Sequence, residues 1–328
     1  MMLYNQKKKK KIVPKYKIIV NENISTQRID NFLFKKFKNL PKSMIYRCLR
    51  IGKIRLNKKK INPNYKLQKK DIITLFSIKI PIIKKKKRTY NKSTINFFLK
   101  HIIYEDEYLL IINKPTGIAV HGGSGITSGI IEIFRVIRTD LFFLELVHRL
   151  DKDTSGILIL AKKNSILKIM HQQLREKKIY KEYTAIVQGH WPKNKKIIDL
   201  PLLKTKNIYD KNKVRVHQNG KSSQTIFIVK KYYLNTTLVS IIPITGRTHQ
   251  IRVHAAYSGF PIIFDEKYST KKIKESEEIK KINKKRLLLH AQTMIFMHPQ
   301  YQKKICIYAP LNKTFKNYID FFAQNIST

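Results

Sequence analysis

The stretch His148-Arg149-Leu150-Asp151-Lys152-Asp153-Thr154-Ser155-Gly156 lies between two short, mostly apolar runs, Phe142 to Val147 and Ile157 to Ala161. Each run is bounded by polar residues, so the pair reads as two buried strands joined by a loop. A loop at a strand end is where a rigid scaffold presents side chains to a ligand. This one carries a carboxylate, Asp151, two residues after Arg149, in a chain with 68 Lys and Arg, 21 Asp and Glu, and a formal charge of +47. Such an excess favours a polyanionic partner, nucleic acid before membrane, because each contacted phosphate releases condensed counterions. A compositional bias toward Lys, Ile and Asn produces the same excess, so the charge supports RNA or DNA binding without establishing it.

At 328 residues the chain can bury a sizeable core and is expected to split into two domains. Cys48 and Cys306 stand far apart and in no metal-ligand spacing, which fits a reducing cytoplasm and argues against a disulfide scaffold or a zinc site. The lysine run Lys7 to Lys11 is followed by no apolar segment of a signal peptide, and no apolar stretch approaches a membrane span. The expectation is a soluble cytoplasmic protein without a membrane partner, and nothing in the chain asks for an obligate dimer.

In chain order, residues 1–24 are basic, lack helical periodicity and read as a flexible arm. Residues 25–83 read as a small unit of two helices and a short sheet. Ser25-Thr26 is a plausible cap, after which Ile29, Phe32, Leu33 and Phe37 share one helical face. Pro41 and Ser43 open a second helix with Met44, Ile45, Cys48 and Leu49 as its stripe, leaving Arg47, Arg50 and Lys53 outside it, and Gly52 is a stop. Strand-like pieces follow at Lys53 to Leu56 and Asp71 to Phe76. Residues 84–96, opening on Lys84 to Arg88, read as a basic linker.

Residues 97–328 have the texture of strands with tight turns. A hairpin spans Ile102 to Ile112 and ends at Asn113-Lys114-Pro115-Thr116-Gly117. The glycine-rich loop His121 to Gly125 lacks the strand, lysine and helix of a phosphate-binding P-loop. Helices are expected near Ser128 to Ile137, Asn164 to Lys177, His249 to Tyr257 and the C-terminus. Further strands are expected at Lys181 to Val187, Thr225 to Val229, Leu238 to Ile242, Leu287 to Phe296 and Lys303 to Tyr308. Residues 192–224 read as lysine-rich loop and 269–285 as a charged excursion. Without a repeat or an alternating strand-helix rhythm, the fold class is α+β on a mixed, mostly antiparallel sheet with flanking helices.

Singly, each polar candidate has a plain explanation. Asp151 can be a turn aspartate, Arg149 a surface cation, Tyr183 a core aromatic with its hydroxyl at the rim, and Arg247 and Arg252 helix-surface charges. His148, His249 and His254 lack cysteine or acidic companions at ligand spacing, so no metal site is expected. The combination is more informative. Asn113 to Gly117, His148 to Gly156, Lys181-Glu182-Tyr183-Thr184-Ala185 and Gly246-Arg247-Thr248-His249-Gln250-Ile251-Arg252-Val253-His254 follow one another in that order. Together they resemble the RNA pseudouridine synthases of the RluA family, and His121 to Lys163 is the part that matches best. Upstream, Arg28-Ile29-Asp30, Ser43, Ile51-Gly52-Lys53-Ile54 and Asn57 to Asp71 resemble an S4 (αL-type) RNA-binding domain.

The resemblance implies isomerisation of uridine to pseudouridine without any cofactor, with large-subunit ribosomal RNA as partner. Asp151 would be the nucleophile, at sugar C1′ or base C6. Arg252 would pair with Asp151, Arg149 would fill the space left by the flipped uridine, and Tyr183 would stack on the uracil. Lys181 and Arg247 would contact RNA or support the site, and Arg28, Arg47, Arg50 and Lys53 would contact RNA from the S4 domain. The lysine-rich loops and the excursion at 269–285 depart from the pattern and put substrate choice, not chemistry, in doubt. Two alternatives stay open: a sister synthase acting on other ribosomal or transfer RNA uridines, and a non-catalytic ribosome-assembly protein on a retired scaffold.

Overall fold

The computed structural model describes residues 10–13, 15–21, 26–37, 40–76, 78–81, 89–123, 128–205, 213–269 and 285–324. The chain divides into two compact units, Met1–Lys87 and Arg88–Thr328. The first runs β1 (Lys10–Val13), β2 (Tyr16–Ile19), α1 (Ile29–Lys36), α2 (Lys42–Arg50), β3 (Ile54–Leu56), β4 (Ile72–Leu75) and β5 (Ile78–Pro81). Strands β2, β4 and β3 form an antiparallel sheet, and β1 pairs with β5 in a separate antiparallel ribbon. Ile29 and Leu33 of α1 and Ile45 and Leu49 of α2 bury against Ile54, Ile73 and Leu75. The α2 stripe therefore packs inward as its spacing predicts, and Gly52 ends the turn with φ +75°.

Two polar pairs finish this unit. Asn57 donates to Asp71 (2.8 Å) and accepts from the Ile72 N–H (2.8 Å), which locks the β3–β4 connection. Arg28 is turned onto the buried Asp30, with Nη2 at 2.7 Å from Oδ2 and Nε at 3.2 Å from Oδ1. It closes an intramolecular ion pair, unlike Arg47, Arg50 and Lys53, which stand exposed. Residues 1–24 differ from an unstructured arm, because β1 and β2 lie within them. Pairing partners forty or more positions away, at β4 and β5, leave no local periodicity to read.

The second unit runs α3 (Lys92–Leu99), β6 (Ile102–Glu105), β7 (Leu109–Lys114), α4 (Ile130–Ile137), β8 (Glu145–Leu146), β9 (Ser155–Ala161), α5 (Asn164–Arg175), β10 (Tyr180–Gln188), β11 (Ile197–Asp199), β12 (Leu202–Lys204), β13 (Val214–Val216), β14 (Gln224–Tyr233), β15 (Thr236–Pro243), α6 (Gln250–Tyr257), β16 (Leu289–Met297), β17 (Lys304–Tyr308) and α7 (Lys313–Gln324). Among the described residues one large sheet has the order β11-β14-β15-β10-β16-β9-β7-β6, with β17 on β16 and β8 on β9. Every pair is antiparallel except β9 with β16, so the sheet is mixed. Strands β12 and β13 pair apart from it.

Helices flank both faces. On one side, Ile130, Ile131 and Phe134 of α4 pack on Leu110, Ile112, Leu158 and Leu160. On the other, Ile166 and Met170 of α5 pack on Leu109, Ile111, Ile157 and Ile159. Strands β7 and β9 are thus covered twice, which is why their sequences are apolar runs instead of alternating. Farther along, Ile251 and Ala255 of α6 cover Ala185, Val187, Val239 and Ile241, while Phe315, Tyr318 and Phe322 of α7 cover Ile186 and Leu288. Alternate residues of β10 therefore serve opposite layers.

Three expectations differ. The run Phe142 to Val147 is a strand only at β8, since Arg135 takes the Leu144 carbonyl (Nη2 2.9 Å, Nε 3.1 Å) and Phe142 is exposed. The interval 84–96 contains the start of α3, capped by the Asn91 side chain on the Thr94 N–H at 2.9 Å and anchored by buried Phe98. The interval 192–224 contains β11, β12 and β13, each too short to show alternation. Ser25, Lys84 to Arg88, Ser124, Gly125 and most of the 269–285 excursion lie outside the described residues. Among the described residues no helix is long and apolar enough to cross a membrane.

The β9–β16 junction is tight and polar. It registers Ser155 with His290 and Gly156 with Ala291. Gly156 has φ +109°, and a Cβ there would stand 2.1 Å from the Ala291 carbonyl oxygen. Beside it, Arg286 Nη2 donates to Ser155 Oγ (2.6 Å), which is 2.7 Å from His290 Nδ1, and His290 Nε2 reaches the Ala309 carbonyl (3.0 Å). A carbonyl only accepts, so Nε2 carries the ring proton and Ser155 donates to Nδ1. Nearby, His148 Nε2 accepts the Ile159 N–H at 3.1 Å.

Gly156→Ala is expected to lose about 3 kcal/mol or more in urea unfolding, through backbone collision and a strained φ together. The histidines predict a pH effect as well. Burial lowers both His148 and His290 from 6.5 to about 4, with Lys181 adding to the effect at His148 and Arg286 at His290. The unfolded chain binds these protons at the ordinary value, so the stabilisation is complete above 6.5 and is lost as pH falls from there through about 4. The urea midpoint should already decline between pH 6.5 and about 5, above the range in which carboxylates titrate. A flat midpoint across that interval would contradict the neutral-imidazole arrangement.

Candidate active site

The turn joining β8 to β9 is held from beneath by the end of β7. Lys114 is fully buried, and its Nζ donates to the carbonyls of Pro115 (2.8 Å), Ile118 (2.9 Å) and Lys152 (3.0 Å). Thr116 Oγ1 donates to the Asp153 carbonyl at 2.6 Å. Asn113 to Gly117, legible in sequence as a hairpin end, is therefore the cradle of the turn. Leu150, Thr154 and Ser155 are buried, which leaves the Asp151 carboxylate at the surface of the turn with its side chain 17% exposed. Asp153 gives its carbonyl to Thr116 and stays a turn residue.

Helix α6 faces this carboxylate. Its first residues are set by Gln250, which accepts from Thr245 Oγ1 (2.7 Å) and the Arg247 N–H (2.9 Å) and donates to the Gln224 carbonyl and Thr225 Oγ1 (2.9 Å each). His254 is buried among Thr225 Oγ1 (2.9 Å), Ser223 Oγ (3.2 Å) and the Leu200 carbonyl (3.1 Å), which makes it part of the scaffold. His249 caps the helix in the left-handed region, φ 53°.

Arg252 lies 3.6 Å from Asp151 Oδ2 through Nη1, but Asp151 is not its main partner. Nε and Nη2 each bond Asp265, at 2.7 Å, in a bidentate buried pair. Burial works against the Arg252 charge, and the hydrogen bonds and charge of Asp265 outweigh it, raising the guanidinium above its usual value. Two of its nitrogens are thus fixed by Asp265 while the third points to Asp151.

His249 is the second cation-capable group, with Nε2 3.8 Å from Asp151 Oδ2. Burial lowers its pKa, against the pull of Asp151 and with Arg252 and Lys267 adding to the fall. Its Nδ1 is 2.5 Å from the Tyr268 hydroxyl, which also accepts the Val214 N–H at 3.1 Å. Burial raises Tyr268 to about 12, so the phenol keeps a proton to give Nδ1, and the neutral ring then presents Nε2–H to Asp151. Asp265, the anchor of Arg252, was not named in the sequence reading, and His249 and Lys114 stood in its motifs without a role at Asp151. Asp265 stands 13 positions beyond Arg252 with no spacing signal, whereas a lysine closing an apolar strand was a visible sign for Lys114.

Two cavities meet at Asp151, of about 500 and about 830 Å³, and Arg149, Thr248, His249 and Arg252 border both. The smaller has Tyr183, Ile251 and Leu289 among its walls, together with Lys181 and Arg247. A register shift between Glu182 and Tyr183 in the β10–β16 ladder re-aims the Tyr183 side chain. Burial, then the Asp151 charge, push the Tyr183 phenol well above its usual range, so it is a neutral apolar face with a proton on its oxygen. Burial lowers Lys181. Arg247 Nε donates to the Ser222 carbonyl at 3.1 Å. Arg149 is exposed, and among the described residues its side chain has no hydrogen bond or ion pair.

Asp151, Arg149, Tyr183, Arg252, Lys181 and Arg247 thus border one cavity. A carboxylate, a guanidinium held at a fixed distance and an aromatic wall suit a reaction at a planar heterocycle displaced from an RNA strand. Arg28, Arg47, Arg50 and Lys53 belong to the other compact unit.

Comparison with known proteins places both units. Residues 108–257 match the family model described as RNA pseudouridylate synthase, and residues 27–73 match the S4 domain. The chain is 53% identical over 307 residues to the ribosomal large subunit pseudouridine synthase C of Buchnera aphidicola subsp. Schizaphis graminum, covering 92% of this chain and 96% of that protein. It is 44% identical over 308 residues to the protein of the same name from Salmonella typhi, covering 94% and 97%. Among solved structures it resembles human RNA pseudouridylate synthase domain containing 4, with TM-score 0.58 and 27% identity over 70% of this chain and 96% of that one. With an S4 domain ahead of a mixed sheet and relatives matched along nearly their whole length, the chain belongs to the RNA pseudouridylate synthase family.

Proposed function

We propose that this enzyme isomerises uridines of large-subunit ribosomal RNA to pseudouridine, with Asp151 as nucleophile. The observation that carries the reading is the meeting of Asp151, Arg252, Tyr183 and Arg149 at one cavity. The names of the relatives support the choice of RNA. The net chemistry breaks the bond from uracil N1 to sugar C1′, forms one from C5 to C1′, removes the C5 proton and places a proton on N1. Atoms and electrons balance without any added reagent.

Asp151 attacks C1′ or C6 and is later released. Arg252, fixed by Asp265, supplies positive charge at a constant distance, so little reorganisation accompanies the change of charge on the carboxylate. Tyr183 stacks on the uracil and keeps it in the site between bond cleavage and bond formation. The protonated state of its phenol suits a face that must rest against a base. Arg149, exposed and without a partner among the described residues, enters the duplex where the uridine has left. Lys181 and Arg247 meet the flanking backbone. Arg47, Arg50 and Lys53 contact phosphates from the S4 unit, whereas Arg28 is committed to Asp30 and contributes at most through its remaining donors. The enzyme acts as a cytoplasmic monomer.

Asp151→Asn is expected to abolish tritium release from a 5-tritiated uridine ribosomal RNA fragment while leaving RNA affinity intact. Full turnover by that variant would refute the nucleophile assignment. Converting Arg47, Arg50 and Lys53 together to serine should lower the salt dependence of binding by about 0.7 per lost contact, about 2 in all, if the RNA there is single-stranded. A slope identical to that of the unaltered protein would remove these residues from the RNA interface.

A further inference from the structure

Arg286 precedes β16 and is only 8% exposed. Besides its bond to Ser155, Nε reaches the Leu287 carbonyl (3.3 Å) and the guanidinium lies 5.5 Å from the centroid of the Phe315 ring. Among the described residues, its buried Nη1 has no hydrogen-bond partner. Among the described residues no carboxylate stands within ion-pair distance of it. Burial lowers its pKa to about 10, so it remains a cation at neutral pH.

A second buried cation shares the region. Burial brings Lys114 down to about 7, Asp153 and Asp151 resist that fall, and Arg286 adds to it. One full cation, Arg286, and one basic group titrating near neutrality, Lys114, are thus enclosed behind a single turn whose carboxylates are Asp153 and Asp151. Burying a cation without a carboxylate partner costs stability, and an apolar side chain of similar volume would serve the fold better.

We propose that Arg286 is a positioning residue for the isomerisation, holding the Asp151 turn in place through the Ser155 hydroxyl. The proposal rests on Asp151 being the reacting carboxylate. Arg286 donates to Ser155, Ser155 donates to His290, and His290 donates to the Ala309 carbonyl, so the hydroxyl is pinned in one rotamer by a donor and an acceptor at once. Ser155 follows the turn directly, and Gly156 behind it is pressed onto the Ala291 backbone. A displacement at Ser155 has no slack to enter except the turn. Arg286 also borders the larger of the two cavities that meet at Asp151.

The test uses the full-length enzyme and single-turnover tritium release. Arg286→Met removes the charge and the donor at nearly constant volume. It should keep or raise Tm and leave RNA Kd unchanged, while the rate falls on the order of 10²-fold, the cost of a misplaced reacting group. Arg286→Ala opens space toward the cavity, and millimolar guanidinium should restore part of its rate. Ser155→Ala breaks the relay without touching the charge and should lose rate in the same direction.

A wild-type rate in Arg286→Met overturns the proposal. Should that variant fail to fold, a wild-type rate in Ser155→Ala overturns it instead. Rate loss that follows loss of Tm, with no rescue by guanidinium, assigns Arg286 to folding alone and also overturns it. Asp151→Asn measured alongside separates the two readings. If it is inactive while Arg286→Met is fully active, only the positioning role fails; if it is active, the nucleophile assignment itself fails.

Discussion

The catalytic unit depends on one short parallel contact. Strands β6, β7, β8 and β9 form one half of the large sheet, and β10, β11 and β14 to β17 supply the other. They are joined where β9 meets β16, over the pairs Ser155 with His290 and Ala291 with Gly156. Backbone hydrogen bonds over two residues do little to define the geometry of this seam, and other contacts set its alignment. Gly156 permits a backbone approach that any side chain would block, and the Arg286–Ser155–His290 relay adds side-chain bonds across the same point. The candidate active site sits on this seam. Asp151 comes from the loop entering β9, Tyr183 from β10 opposite Ala291, and Leu289 from the start of β16.

Charge is arranged around the seam by pairing in layers. Asp265 satisfies two nitrogens of Arg252 and leaves one toward Asp151. Had Asp151 been the main partner of Arg252, the carboxylate would have to break a strong buried ion pair before reacting. A second acid relieves that conflict: the guanidinium is anchored elsewhere and the proposed nucleophile meets it at 3.6 Å. His249, kept near neutrality by burial and by its cationic neighbours, completes this side without adding another full charge.

The S4 unit solves a simpler problem. A single core of two helices and a small sheet leaves Arg47, Arg50 and Lys53 exposed on and just after α2. Its buried acids, Asp30 and Asp71, are structural, answered by Arg28 and by Asn57. Residues of one sequence pattern thus divide between holding the fold and facing outward, and burial is what separates them.

Local pattern carried much of this protein. The apolar run of β9, the stripes of α2 and α5, and the motifs around Asp151, Tyr183 and Arg252 are legible in the chain, because helix and strand periods and turn chemistry act over a few residues. Elements whose partners are distant or whose length is three residues, such as β1, β2 and β11 to β13, leave no such period and were not legible. Neither was the end of the strand expected at Phe142, which is decided by Arg135 capturing a carbonyl nine positions away. The site divides in the same way. The candidate reacting groups are named by their motifs, but the pairing of Arg252 with Asp265, the approach of His249 and the burial of Arg286 behind Ser155 arise only when the sheet closes. Electrostatic partnership depends on distance in space and on the exclusion of water, and neither is encoded by position along the chain.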